Sequence, residues 1–364
     1  LLQLNTNLFG KFFMTLYIGT YTQTSKGGIY AASFDEQSGE LGAVQGVAAT
    51  PNPSFLAASP DGRFLYAVNE WGQLAGEDEG GLSSFQISRA QDELAVLNEI
   101  ALGGTLCHLT VDTTGKWLLA AAYDAGTVSI WPLQADGSIG LRVGLIQHDG
   151  HGPNKNRQGG PHAHHIVFAP DHRRVFVADL GADKVMIYDF DAATGKLTPA
   201  ATPSIDLASG AGPRHMALSQ DGDFLYIVSE LNNTVSVFKN VSSTPEQMQV
   251  VTTLPDDYAG ESHTAEISIH PNGRFLYASN RGHDSLVGYF IEADGKLNPT
   301  GFSPTGRTPR HFAFAPSGKW LLAANQDDRS ISIFEVDPHS GALTLTHKNS
   351  GLLDRPTCLL FLKL

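Results

Sequence analysis

The chain has little cysteine, few charged residues and no long apolar run, and each shortage removes a class of protein. Two cysteines in 364 residues, Cys107 and Cys358, cannot build the disulfide framework of a small secreted scaffold. No apolar stretch approaches the roughly 18 to 20 residues that span a bilayer, so the sequence does not read as an integral membrane protein. Basic residues are in the minority. Lys and Arg number 24 against 37 Asp and Glu, and the net charge of −13 argues against general attraction to nucleic acid or an acidic membrane surface. An anionic ligand would have to be met by arginines gathered locally. Residues 1–13 lack a basic leading segment and a small-residue cleavage site, so they do not read as a signal peptide. Met14 stands directly before the first strand-like run. The expected organisation is an N-terminal extension over 1–13 and a single domain over 14–364, in a cytoplasmic monomer or weak homo-oligomer.

What is present is a repeat. An extended apolar stretch, a Pro-Asp-Gly type turn and an alternating strand recur as SFLAASPDGRFLYAVN (54–69), HLTVDTTGKWLLAAAY (108–123), HIVFAPDHRRVFVADL (165–180), HMALSQDGDFLYIVSE (215–230), EISIHPNGRFLYASNR (266–281) and HFAFAPSGKWLLAANQ (311–326). Five of the six turns carry Gly, and His172 replaces it in the other. A third alternating run follows, as in TVSIWPL or SISIFEV, and a Gly-Lys-Leu or Gly-Ala-Leu usually opens a fourth. Four short antiparallel strands every ~50 residues make one propeller blade. The ends supply a seventh. The final PTCLLFLK matches only a first strand, whereas TLYIGTYT and GGIYAASFD match only a second and a third. The expected fold is an all-β, seven-bladed propeller closed by the C-terminal strand joining the N-terminal strands. The WD dipeptide of WD40 propellers is absent.

In such a meander the start of strand one and the end of strand two share a rim. Strand-one starts carry His108, His162, His164, His165, Arg214, His215, Arg310 and His311; strand-two ends carry Asn69, Glu70, Asp124, Asp179, Glu230, Asn280, Arg281 and Gln326. His108, His165, His215 and His311 share one repeat position, which reads as a blade-packing hydrogen bond made several times over. His162 and His164 instead belong to a long insertion over 148–165, the kind of loop that carries function more often than an ordinary connection. Three histidines within four residues invite a metal reading, but no second set of ligands completes a zinc site, so no metal or cofactor is expected. Arg214, Glu230 and Arg281 are charges near a propeller axis, where each must be paired or meet a ligand. A structural salt bridge between Arg214 and Glu230 is the competing explanation.

The segment GPNKNRQGGPHAHHIVFAPD (152–171), with the IGTYT opening and the GPRH to SE stretch, is similar to the 6-phosphogluconolactonase branch of the seven-bladed propeller lactonases, over essentially residues 15–364. That resemblance implies a metal-independent hydrolase of 6-phospho-D-glucono-1,5-lactone in the pentose phosphate pathway. By comparison with the related carboxymuconate cyclases, it implies a catalytic set of His164, Arg214, Glu230 and Arg281. On this reading Glu230 is the base, Arg214 or His164 holds the oxyanion, His164 protonates the leaving oxygen, and Arg157, His162 and Arg310 help to bind a phosphorylated sugar lactone. A cycloisomerase, a hydrolase for another lactone, and a non-catalytic binding propeller stay open as alternatives.

Overall fold

A computed structural model describes residues 13–22, 27–71, 74, 80–88, 93–102, 105–241, 243–350 and 354–362. Among these, every regular element is a β-strand, and no helix is long and apolar enough to cross a membrane. The strands form seven antiparallel sheets, each running outward from an innermost strand. Numbered along the chain, blade 1 is the closing sheet and blades 2 to 7 begin at Pro53–Ala58, Leu106–Val111, Ala163–Phe168, Pro213–Leu218, His263–Ile269 and Pro309–Phe314. Each innermost strand touches those of its two neighbours, so the order in sequence is the order around the axis. Residues 1–12 of the expected extension lie outside the described residues, and Phe13 already belongs to a strand.

The C-terminal strand closes the ring as expected. Arg355–Phe361 pairs with Phe13–Tyr21, which pairs with Gly28–Asp35; the outermost position of blade 1 is split between Glu40–Leu41 and Gln45–Ala49. Alternation sends Leu359 and Phe361 into the interface with blade 7, beside Trp320 and Leu322. Cys358 goes the other way, into the interface with blade 2 beside Leu56 and Leu65. One strand therefore seals both sides of the closure.

Turn chemistry sets the inner hairpins. Gly62 donates its N–H to the Ser59 carbonyl (2.9 Å) and has φ of 66°, a left-handed conformation that glycine adopts without a Cβ penalty. His172 makes the same bond to Ala169 (2.9 Å) at φ of 53°, so the sixth turn keeps the geometry with an unfavourable residue. Glycine has a second use in the outer hairpins. A Cβ at Gly195 of blade 4 would overlap the Trp117 ring of blade 3, and the same joint recurs as Gly39–Trp320, Gly137–Phe64, Gly295–Phe224 and Gly341–Phe275. This is the physical reason for the Gly before the Lys-Leu or Ala-Leu signature: each turn roofs an aromatic of the preceding blade. Between blades 4 and 5 the aromatic is replaced by Arg174, whose guanidinium donates to the Val241 carbonyl (3.5 Å).

Two stability outcomes follow from this packing. A chain ending at Asp354 loses the closing strand, opens a sheet edge and exposes two interfaces, and its thermal midpoint is expected to fall by more than ~10 °C; an unchanged midpoint would refute the closure. His172→Gly relieves the left-handed strain at an exposed turn and is expected to raise unfolding free energy by up to ~1 kcal/mol in urea titrations, whereas a loss would show that the His172 side chain itself stabilises the turn.

Candidate active site

A single backbone irregularity builds the site. In all seven blades the pairing of the first two strands shifts register at the same place, adding one residue to the innermost strand. The added residues are Thr357, Ser54, Cys107, His164, Arg214, Ala265 and Arg310 around the ring. Regular alternation would turn this residue and the next to opposite faces; a β-bulge lets both face the axis. The following positions are Phe55, His108, His165, His215, Glu266 and His311, while in blade 1 Cys358 packs toward blade 2 instead. At the equivalent position past the bulge, the strand-two ends contribute Tyr21, Glu70, Tyr123, Leu180, Glu230, Arg281 and Gln326 to the same rim.

The layer after the bulge plugs the channel. His108 packs on Phe55 (ring centroids 4.0 Å) and His165 (4.2 Å), and His165 stacks on His215 (4.3 Å). The expected inter-blade hydrogen bond is made twice: Ile166 N–H donates to His108 Nδ1 (3.4 Å) and Leu359 N–H to His311 Nδ1 (3.2 Å). His215 Nδ1 and His311 Nε2 instead approach Glu266 Oε2, at 3.1 and 3.4 Å. Burial, reinforced by neighbouring imidazoles and guanidinium groups, drives His108, His164, His165 and His215 well below the ordinary imidazole range and lowers His311. The imidazoles of the plug are therefore uncharged.

Above the plug, Arg214, Glu230 and Arg281 come together with Arg157. Glu230 Oε2 lies 3.0 Å from Arg214 Nε and 2.8 Å from Arg281 Nη2, and Oε1 accepts from Arg157 Nη2 at 2.5 Å. The Arg214 contact is one of charge and distance, its Nε being poorly directed; its Nη1 donates to the Ala265 carbonyl at 2.6 Å. Arg281 Nη2 also donates to the Thr264 carbonyl (2.9 Å). Against burial, which would raise it, the charges of Arg281, Arg214 and Arg157 hold the Glu230 carboxyl far below the usual carboxylate range. A carboxylate held this way is a poor proton acceptor. Burial and the charges of Arg281 and Arg310 push Arg214 down to about 9, which leaves it charged but short of negative partners. The structural salt bridge between Arg214 and Glu230 thus exists, yet three guanidinium groups share one carboxylate and retain unspent positive charge.

The other expected residues divide. His164 is buried, its Nδ1 without a partner, and it lines with Arg214, Arg310, Ser54 and Thr357 a niche of about 10 Å³, room for one water at most. A sugar lactone must lie over this niche, at the mouth. Arg310 makes no ion pair among the described residues and sits over the Tyr21 ring at 5.1 Å. His162 stacks on Tyr123 (4.4 Å) and meets its carbonyl through Nδ1 (2.8 Å), so it braces the wall. Asn69, Asp179 and Asn280 lie fully buried beneath the rim and tie down loops; Asp179 accepts from His162 N–H (2.8 Å) and holds His148 Nδ1 at 2.6 Å. Asp179, together with Gln158, which donates to Asp183 (2.7 Å), fixes the arm that carries Arg157 to Glu230. Tyr21, Tyr123 and Glu266 were not singled out, although all three occupy columns that the aligned repeats define. No group of three or more His, Cys, Asp or Glu fit to hold a metal occurs among the described residues. A cavity of ≈840 Å³ lies elsewhere, between the inner turns of blades 2 and 3 near Asp61 and Trp117. It gathers no comparable set of charges, and the rim is the better candidate.

Residues 15–361 match the family model for the lactonase, 7-bladed beta-propeller. The chain belongs to this lactonase family. It is 34% identical to a 6-phosphogluconolactonase of Bacillus subtilis, over 95% of this chain and 97% of that protein. A 6-phosphogluconolactonase of Formosa agariphila is 32% identical over 90% and 94%. The solved periplasmic gluconolactonase of Pseudomonas aeruginosa superposes with a TM-score of 0.88 at 31% identity, covering 96% of this chain and 99% of that one. The lactonase family membership makes this chain an enzyme of lactone hydrolysis, with a small-molecule lactone as its substrate.

The buried neutral imidazoles carry a pH signature. Their folded proton affinity lies below the unfolded value of ~6.5, so their stabilisation is complete above that pH and is lost as pH falls through it. Each of His108, His164, His165, His215 and His311 can contribute a slope of up to ~1.4 kcal/mol per pH unit. Urea unfolding is expected to show level stability from pH 7.5 to 8.5 and a steep decline from 6.5 to 5; level stability down to pH 5 would mean that the plug is charged or solvated.

Proposed function

We propose that this lactonase hydrolyses 6-phospho-D-glucono-1,5-lactone to 6-phosphogluconate, in the pentose phosphate pathway of the cytoplasm, by metal-independent acid and base catalysis. The observation that carries the reading is the surplus of guanidinium groups. Arg157, Arg214 and Arg281 share the one carboxylate of Glu230, and Arg310 makes no ion pair among the described residues, in a protein of net charge −13. An incoming dianion is repelled at long range and must be recognised by close charge-assisted hydrogen bonds. Arg157 and Arg281 are the outward pair, their side chains 35% and 17% exposed, and are assigned to the phosphate together with the planar fork that suits it. The names of the Bacillus and Formosa relatives support the same substrate. The two buried, unbridged cysteines fit a reducing compartment.

Arg214 and Arg310, deeper over the niche, face the lactone carbonyl and stabilise the oxyanion as water adds. His164 is neutral at physiological pH and takes the proton from that water. The imidazolium so formed, beside Arg214 and Arg310, is unstable and surrenders the proton to the ring oxygen as the C–O bond breaks. Glu230 is engaged by Arg157, Arg214 and Arg281 and organises them, whereas His164 Nδ1 has no partner and is free to take the proton.

The Pseudomonas relative favours a second reading, hydrolysis of the unphosphorylated lactone outside the cytoplasm. A coupled dehydrogenase assay with freshly generated phosphogluconolactone, corrected for spontaneous hydrolysis, separates them from each other and from a binding role. Arg281→Lys keeps charge but loses the fork, and is expected to raise KM about tenfold for the phosphorylated lactone and less than threefold for its unphosphorylated analogue; equal losses would reject phosphate recognition there. His164→Asn should lower kcat by 10²-fold or more, the scale of acid and base catalysis. Glu230→Gln should lower kcat while keeping the acidic limb of the pH profile, and loss of that limb would return the role of base to Glu230.

A further inference from the structure

The wall of blade 2 takes no part in the mechanism above, yet it is built and held. Glu70 occupies the same column as Glu230 and Arg281 and is buried, but its environment is different. Its Oε2 accepts the Tyr21 hydroxyl at 2.6 Å, and it makes no ion pair among the described residues. Next to it Trp71 is 46% exposed and lies on the Tyr21 ring, with centroids 4.6 Å apart and planes at 30°. Asn52 fixes both from behind. Its carbonyl accepts the Glu70 N–H (3.1 Å), and its side-chain amide donates to the Trp71 carbonyl (2.8 Å) while its Oδ1 accepts the Thr22 N–H (2.9 Å). An indole held open beside an unpaired carboxylate is costly in isolation and suited to one class of ligand. Aromatic faces receive the apolar C–H face of a pyranose, and a carboxylate with a spare oxygen accepts its vicinal hydroxyls.

Ring order gives the complement. In a seven-blade ring, blade 2 stands across the axis from blades 5 and 6, which carry Arg214, Glu230 and Arg281. A ligand with an anionic end at those arginines would turn its hydroxylated body toward Glu70 and Trp71. We propose that Trp71 and Glu70 form the carbohydrate-recognising wall of the site, so that the enzyme selects polyhydroxylated sugar lactones over plain ring lactones. This deepens the lactonase reading above and rests on it for the turnover measurements.

The test compares glucono-1,5-lactone, with and without its phosphate, against δ-valerolactone, which has the same ring and no hydroxyls. Trp71 is exposed, so Trp71→Ala should fold; Trp71→Phe retains a platform, and Glu70→Gln retains shape. Trp71→Ala and Glu70→Gln are each expected to raise sugar-lactone KM about tenfold with kcat within threefold. The ratio of kcat/KM for the sugar lactone over δ-valerolactone should fall about tenfold, because a site built to bond hydroxyls discriminates through them. Trp71→Phe should restore most of that ratio. A ratio within twofold of wild type in both Trp71→Ala and Glu70→Gln overturns the proposal. Should the unmodified protein hydrolyse no lactone, the functional reading fails, and the wall is decided by calorimetric titration with 6-phosphogluconate: tenfold weaker binding in Trp71→Ala supports it, and unchanged binding overturns it.

Discussion

Two consecutive residues of a regular strand cannot both point at a propeller axis, and the chemistry of this protein depends on suspending that rule once per blade. The bulge at the start of each innermost strand turns His164 with His165, Arg214 with His215, and Arg310 with His311 toward the channel. With plain alternation, one member of each pair would enter the sheet-to-sheet interface, where a guanidinium has no solvent and no partner. The upper member of each pair builds a site, and the lower member closes the channel beneath it.

Putting so many titratable groups in one narrow space raises an electrostatic problem that the structure meets in two ways. Imidazoles in the plug remain neutral, and the single carboxylate there, Glu266, sits between His215 and His311. One layer up, Glu230 is surrounded by three arginines. Partial neutralisation keeps the cations folded in place while leaving them poorly satisfied, and on the proposed reading a bound anion completes what Glu230 begins. Stability and recognition are thus drawn from the same set of charges. The arm bearing Arg157 is part of this balance, since Asp179 and Asp183 anchor it from below.

The propeller, its closure and the gathering of charges on one rim were readable from the chain because their signals are local. Alternation marks strands, left-handed turn residues mark hairpins, and half-repeats at the two ends must complete one another. Arg214 and Glu230 were readable as charges near an axis, but not the charge state of Glu230. That depends on distances to Arg157, 73 residues away along the chain, and to Arg281. A carboxylate on a rim shows its repeat position in the sequence but not the guanidinium groups that the fold brings to it. Bulges also escape a reading by period, because a shift of one residue leaves composition and turn spacing intact. For that reason Glu266, set in a column of histidines, and Tyr21, at the rim, are not legible from the period.

The joints between blades carry a further implication. Among the described residues, five outer turns are shaped for the aromatic of the blade before them, and the joint at Arg174 and Val241 uses a hydrogen bond where those five use a glycine roof. The repeats are therefore not interchangeable neighbours. A blade that docked out of sequence during folding would set a turn of one shape against a partner of another, leaving a ring clash or an unbonded carbonyl. These small contacts act as a proofreading code for assembly: they favour the correct circular order over the slipped and swapped rings that near-identical sheets would otherwise permit.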